Sequence, residues 1–452
     1  MKRLLLVLGV VAGVAAAVWG AVLVLAATAG PAPARQRLAV APPVVRDSVI
    51  IDGGGQVVEK LAPDCAASRH PAFCRRVHDE LTAIDPRLLT RGGLVVATTL
   101  DPRAQQAAQR AVEARVRPGD GPVAVEAMVA PGSGEIRALA ASRGDGAHAL
   151  SQGSTAMAYT LAAALSGGFR HDDGFPGSLS YQAAGPGSFT DCKGQAVGDP
   201  THTVTDSVGG SGGAFTTLRS GARATLNTFF MRLEERIGLC ATVRTAVRLG
   251  LTGPSGLPLR EYQAFTLGAN EVDTVTVAGT YATLAAHGLR CAPRAVKEVR
   301  DGSGKVLHAL APGCEQALDP AVADAVTGLL RTGGLGRDAA GLASRIPDYR
   351  TAWYAGYTPD LAAAVSLGFP DESEPRTFPD GSQRRPPTAG PDRPTLTGLT
   401  VGGRRYDTVD GATVPGPIWR ASMAEALRGA PKSRFPEPDE ARFGGCRLAC
   451  PK

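Results

Sequence analysis

Eight cysteines, a histidine beside two aspartates and a serine at the start of a predicted helix are the side chains that could do chemistry here. The cysteines are Cys65, Cys74, Cys192, Cys240, Cys291, Cys314, Cys446 and Cys450. Such a set either oxidises to disulfides or binds zinc as thiolates. No Cys-x-x-Cys pair occurs and the seven histidines are scattered, so disulfides are expected, without a metal or other cofactor. Eight cysteines allow on the order of 100 connectivities, and sequence alone does not fix one. Short separations favour Cys65–Cys74, Cys291–Cys314 and Cys446–Cys450, which leaves Cys192 with Cys240. His171-Asp172-Asp173 has the residue types of a metal ligand set or general base. One histidine beside two aspartates in a glycine-rich loop reads instead as solvent-exposed. Gly209-Gly210-Ser211-Gly212-Gly213 has the composition of a phosphate loop, but no Lys-Ser/Thr follows it, so it reads as a plain loop. Ser154 needs a neighbouring base before its hydroxyl is a useful nucleophile.

The elements that must position these groups follow from local pattern. Val44 to Ile51 reads as a strand ended by Gly53-Gly54-Gly55, Phe73 to Leu81 as a short helix and Gly93 to Leu100 as another strand. Asp101-Pro102 supplies a cap and a first-turn proline for a helix over Arg103–Val116. Val123–Val129 and Glu135–Ala141 form a hairpin pair around Pro131-Gly132-Ser133-Gly134. A helix starts near Gly153-Ser154, and further helices are expected over Thr217–Ile237, Val272–His287 and Pro320–Arg331. Ala352–Tyr357 and Leu361–Phe369 read as paired strands. Pro370–Pro394 and the tail after Gly429 read as flexible, the tail pinned by Cys446–Cys450.

Leu4 to Gly30 carries no charged residue and follows Lys2-Arg3. A run of about 27 residues is long enough to span a hydrocarbon core of about 30 Å. A single-pass anchor is expected, with residues 1–3 cytoplasmic and the bulk outside the cytoplasm. The alternative is a signal peptide cleaved after Ala27-Thr28-Ala29. The organisation reads as 4–30 transmembrane helix, 31–95 extracytoplasmic linker or pedestal, 96–430 main domain and 431–452 Pro-rich tail. The net charge of +6 is spread without a basic stripe, which excludes nucleic acid as a partner.

Several segments together resemble the penicillin-binding transpeptidases, most of all the transpeptidase half of bifunctional actinobacterial members. The segments are Gly93–Pro102, Gln152–Thr155 with Tyr159–Leu165, Thr217–Thr228, Leu267–Gly268 with Ala278–Thr283 and His287-Gly288, Ala352–Leu361 and Pro417-Ile418-Trp419. They occur in the family's order and cover about Cys65 to Arg428. The resemblance implies an α/β (α+β) fold like that of the serine β-lactamases, an antiparallel sheet with helices on both faces. It also implies cell-wall chemistry at D-alanyl-D-alanine through an acyl-serine.

The motif residues depart from that chemistry. The family's SxxK places a lysine one helical turn after the serine. Here the segment is Ser154-Thr155-Ala156-Met157, so the base is Met157, which cannot accept a proton. The SxN motif is Thr225-Leu226-Asn227, which keeps a hydroxyl. The KTG slot holds Leu342-Ala343-Ser344 between gapless flanks, which removes the cation and fills the glycine. Arg345 follows, but a three-residue shift along a strand turns its side chain to the other face. Only about 60 residues separate the apolar run from the domain, too few for the family's glycosyltransferase, so glycan polymerisation is not expected. The preferred reading is a pseudo-transpeptidase that binds or scaffolds peptidoglycan or cell-wall synthesis proteins at the membrane. The alternatives are a divergent active D,D-transpeptidase or carboxypeptidase using Ser154, and a peptide- or glycan-binding module that retains the cleft.

Overall fold

Ala352-Trp353-Tyr354-Ala355-Gly356-Tyr357 and Ala362-Ala363-Ala364-Val365-Ser366-Leu367-Gly368 are apolar or small at nearly every position, the pattern of strands covered on both faces. In the computed structural model of the chain they are the two central strands β10 (Thr351–Tyr357) and β11 (Ala362–Gly368), buried along their whole length. The structure describes residues 47–451, apart from 63, 147, 207–213, 345–348 and most of 370–393, where only the strand residues 376–377 and 383–384 are described. The apolar run 4–30, the glycine loop 209–213 and Arg345 therefore lie outside the described residues. Among the described residues no helix is long and apolar enough to cross a membrane.

The main sheet has six antiparallel strands in the order β8 (Arg331–Thr332), β9 (Ala339–Ala343), β10, β11, β4 (Val123–Val129), β5 (Ile136–Ala141). Alternation along the strands sorts side chains between two cores. Val125, Ala127, Val129, Leu342, Trp353, Ala355 and Tyr357 face a large helical layer. Ala124, Met128, Ala352, Tyr354, Ala363 and Val365 face α2 (Pro102–Glu113) and α9 (Pro415–Ala426). Asp101 caps α2 by accepting from the N–H groups of Arg103 and Ala104, as its place before Pro102 predicts.

A second sheet joins distant parts of the chain in the order β7 (Val306–Ala309), β6 (Val296–Arg300), β3 (Val95–Thr98), β1 (Val49–Ile51), β2 (Val57–Lys60). β1 runs parallel to β3, and every other neighbouring pair is antiparallel. Helix α1 (Pro71–Ile84) lies between β2 and β3 in the chain and buries Phe73, Val77 and Leu81.

Two expectations need correction. Thr217–Ile237 is two helices, α4 (Leu218–Ala224) and α5 (Asn227–Ile237), because Thr225 takes a left-handed conformation at φ +51° that ends α4. The tail after Gly429 is packed rather than loose. Phe435 and Phe443 are buried in the main core, and Phe435 lies edge-on to Tyr357. Aromatic side chains at that spacing anchor a segment whose proline content alone suggests a free tail.

Candidate active site

The serine sits where the resemblance expects it, at the front of a buried helix. Gly153–Ala156 forms one 3₁₀ turn, and α3 (Met157–Ser166) continues from it. The turn packs against β9 and β10, so Ser154, Met157 and Leu342 come to one place in the fold. The approach is close from the other side too. Gly268 has φ +74°, and a Cβ there would stand 2.2 Å from the Gly153 carbonyl, so glycine is required. Tyr281 donates its hydroxyl to the Thr155 carbonyl at 2.9 Å, and Tyr159 shares a hydrogen bond of 2.9 Å with Thr280.

The two side chains matched to the family's lysines are apolar. Ser154 is 2% exposed, Met157 is fully buried and Leu342 is 5% exposed. Met157 and Leu342, the two residues that the resemblance matches to lysines of the family, belong to one buried cluster of hydrophobic side chains. Nothing in that pair can take the Ser154 proton or hold a carboxylate.

Ser344 has a structural task. Its hydroxyl accepts from the Trp353 N–H at 2.8 Å, while its own N–H donates to the Trp353 carbonyl at 2.8 Å. The side chain stands in for the carbonyl in the strand ladder. The freed carbonyl accepts from Gly411 N–H at 2.9 Å. Gly411 must be glycine, since a Cβ there would lie 1.9 Å from the Trp353 carbonyl oxygen. The residue that fills the KTG glycine thus ties β9 to the segment entering α9.

The second motif is present as backbone architecture. Thr225 is half-buried, and its hydroxyl donates to the Ala224 carbonyl at 2.8 Å. A β-branched residue in the left-handed region is strained and must be held by its surroundings. Asn227 opens α5, which packs on α3, and its amide donates to the Thr205 carbonyl at 3.1 Å. Thr228 is held by Asp206 through its N–H at 3.0 Å and its hydroxyl at 2.9 Å. Beside it lies a small cleft lined by Phe175, Ser178, Thr216, Thr228, Phe229 and Arg232. Ser154, Met157 and Leu342 do not line that cleft.

Two buried carboxyls escaped the sequence reading. Glu234 lies on the apolar face of α5 and is fully buried. One oxygen accepts from the Thr266 N–H at 3.3 Å, and Thr266 hydrogen-bonds Thr160 of α3 at 2.6 Å. Burial pushes the Glu234 carboxyl well above the usual range, against the Thr266 N–H that lowers it. Glu126 lies inside β4 on the face toward α9 and accepts from the Ser422 hydroxyl. Burial raises it to about 8, against the lowering effect of Ser422. The signal for Glu126 was a lone acid among apolar neighbours, Val123-Ala124-Val125-Glu126-Ala127-Met128-Val129, whereas Glu234, beside Glu235 and between Arg232 and Arg236, gave no such signal.

His171-Asp172-Asp173 is not an exposed loop. His171 and Asp173 are buried, and Asp173 clamps the C-terminus. One of its oxygens accepts from the N–H groups of Arg447, Leu448 and Ala449 at 2.7, 2.7 and 2.8 Å, and the other from Arg170 N–H at 2.7 Å. Burial pushes the Asp173 carboxyl up, but these N–H groups hold it below its ordinary value. The same segment supports the second motif, because the Asp173 and His171 carbonyls accept from the first N–H groups of α4, Leu218 and Arg219.

The disulfides pair as the short separations suggest: Cys65–Cys74, Cys192–Cys240, Cys291–Cys314 and Cys446–Cys450. No described cysteine is free.

No family model matches the chain. Among curated proteins it is similar to penicillin-binding protein 1A of Mycobacterium tuberculosis, 29% identical over 401 residues, which is 80% of this chain and 43% of that protein. The Mycolicibacterium smegmatis penicillin-binding protein 1A is 28% identical over 80% of this chain and 45% of its own length. The chain therefore spans less than half the length of these relatives. Among solved structures, the M. tuberculosis PonA1 protein in complex with penicillin V superimposes with a TM-score of 0.61 at 26% identity, over 84% of this chain and 98% of that one. Penicillin-binding protein A from M. tuberculosis, an imipenem acyl-enzyme complex, shares the fold with a TM-score of 0.58 at 19% identity, over 85% of this chain and 99% of that one. In sequence over 80% of its length, and in fold over the described residues, this chain is similar to the penicillin-binding proteins.

Proposed function

We propose that the chain is a non-catalytic member of the penicillin-binding transpeptidases that scaffolds or binds components of peptidoglycan synthesis. The observation that carries this reading is that Met157 and Leu342, which the resemblance matches to the family's lysines, are apolar and buried in elements that adjoin a Ser154 that is 2% exposed. An acyl-serine mechanism needs a base for the hydroxyl and a cation for the substrate carboxylate. Loss of general-base help alone typically costs about 10²–10⁴ in rate. The uncharged Leu4–Gly30 run behind Lys2-Arg3 supports a single-pass anchor, with the folded part on the outer side of the cell membrane. The four disulfides support that side, since disulfides persist in oxidising compartments. Labelling of membranes with a fluorescent penicillin tests the reading. The band of this protein should stay dark while active penicillin-binding proteins in the same membranes light up. A labelled band that is lost in Ser154→Ala would instead establish the divergent enzyme.

A further inference from the structure

Four histidines, His70, His78, His148 and His171, have a buried ring nitrogen without a hydrogen-bond partner among the described residues. A buried polar atom without a partner calls for an explanation, such as an ion or a redox role. For His78 the surroundings supply one. Cys74 and His78 stand one turn apart on the same face of α1, and Cys65 reaches Cys74 from the preceding loop as a disulfide. A nitrogen of His78 and both sulfur atoms lie within 4.8 Å of one another. Cys74 and His78 are buried, while Cys65 is only half-buried and gives access from solvent. The apparent scatter of histidines along the sequence hides this one grouping.

We propose that Cys65, Cys74 and His78 form a convertible site, a disulfide when oxidised and a zinc-class metal site once a dithiol has opened it. Thiol–disulfide exchange breaks the Cys65–Cys74 bond, leaves two cysteine thiols and converts the dithiol to its own disulfide. Zinc(II) then binds both sulfurs as thiolates, releases their two protons to solvent and keeps its oxidation state. The His78 nitrogen is the third ligand and water the fourth. Two thiolates and an imidazole are a ligand set suited to zinc. Burial lowers the His78 pKa, opposed by the Ala62 carbonyl and by Asp79 and Asp64 and aided by Arg75. The other sulfur pair near an acid, Cys446–Cys450 with Asp173, is different, because backbone N–H groups already occupy that carboxylate.

The test is cobalt(II) titration of the full-length chain before and after reduction by a dithiol. The reduced chain should take up one equivalent with the visible bands of tetrahedral thiolate-bound cobalt, displaced by zinc, and the oxidised chain none. Cys65→Ser with Cys74→Ser should abolish the signal, His78→Ala should weaken binding at least ~10-fold, and Cys446→Ser with Cys450→Ser should leave it intact. Zinc should also raise the thermal midpoint of the reduced chain. Absence of stoichiometric uptake, a spectrum indifferent to His78→Ala, or a reduced chain that unfolds and is not rescued by zinc would each overturn the proposal.

Discussion

The serine turn and the Asp173 clamp are both buried, and they treat polar chemistry in opposite ways. Beside the serine turn the residues that the resemblance matches to the family's lysines, Met157 and Leu342, are buried and apolar, and the hydroxyl of Ser344 completes a strand ladder. At Asp173 a carboxylate is kept inside the protein, with four backbone N–H groups aimed at it. A buried charge survives where its hydrogen bonds are saturated and becomes a liability where they are not. The difference is that the Asp173 carboxylate is kept buried by hydrogen bonds that hold elements together, whereas Met157 and Leu342 beside the serine turn are packed as hydrophobic core.

The comparison is broken most forcefully at Asp173. Asp173→Ala removes the acceptor for four N–H groups and should destabilise the protein by on the order of 4 kcal/mol at neutral pH, read by urea denaturation. It should also free the C-terminal loop to limited proteolysis. Because the folded pKa of Asp173 is lowered, its contribution is present above the unfolded value and lost as pH falls through the folded one. A change below about 1 kcal/mol would show that the clamp is ornamental.

Glu126 sharpens the contrast, since it is a buried acid without such saturation. One of its oxygens has no hydrogen-bond partner among the described residues. Its folded pKa is about 8 against an ordinary 4.5. The protonated form is the one the fold tolerates, so its stability is fully present below about 4.5 and is lost as pH rises toward 8. The slope should approach about 1.4 kcal/mol per pH unit within that window. Glu126→Gln should flatten the stability profile between pH 5 and 8, and an unchanged profile would place the titration elsewhere.

Ser344 gives the smallest effect. Ser344→Gly restores the family's residue but leaves the buried Trp353 N–H without its acceptor, and should cost about 2 kcal/mol. A stabilising result would mean that the carbonyl simply returns to the ladder.

Sequence legibility followed the range of the forces involved. The Asp101-Pro102 cap, the hairpin around Pro131-Gly132-Ser133-Gly134 and the buried β10 and β11 strands are local or periodic patterns, and they form as expected. Short loops made three disulfides the cheapest closures, and the fourth followed. The pairing of Val95–Thr98 with Val296–Arg300 joins segments about 200 residues apart and leaves no local mark. The break at Thr225 was hidden because a threonine in the left-handed region is imposed by tertiary packing. At the site, the residue types Met157, Leu342, Ala343 and Ser344 are read directly from the sequence. The second task of Ser344 and the role of Asp173 depend on which backbone groups arrive beside them, Gly411 and Arg447–Ala449, and those come from far along the chain.

The central claim is that Ser154 has lost its chemistry, and intact-protein mass spectrometry after incubation with a β-lactam tests it most directly. The unmodified chain should show no adduct. Met157→Lys alone should not restore one, because the ligand carboxylate would still meet Leu342 and Ala343, and a lost charge-assisted contact commonly costs about 1.5–3 kcal/mol. Recovery should require Met157→Lys together with Leu342→Lys, Ala343→Thr and Ser344→Gly. An adduct in the single variant would show that the third motif matters less than its burial implies. A stoichiometric adduct mapped to Ser154 in the unmodified protein would contradict the account outright.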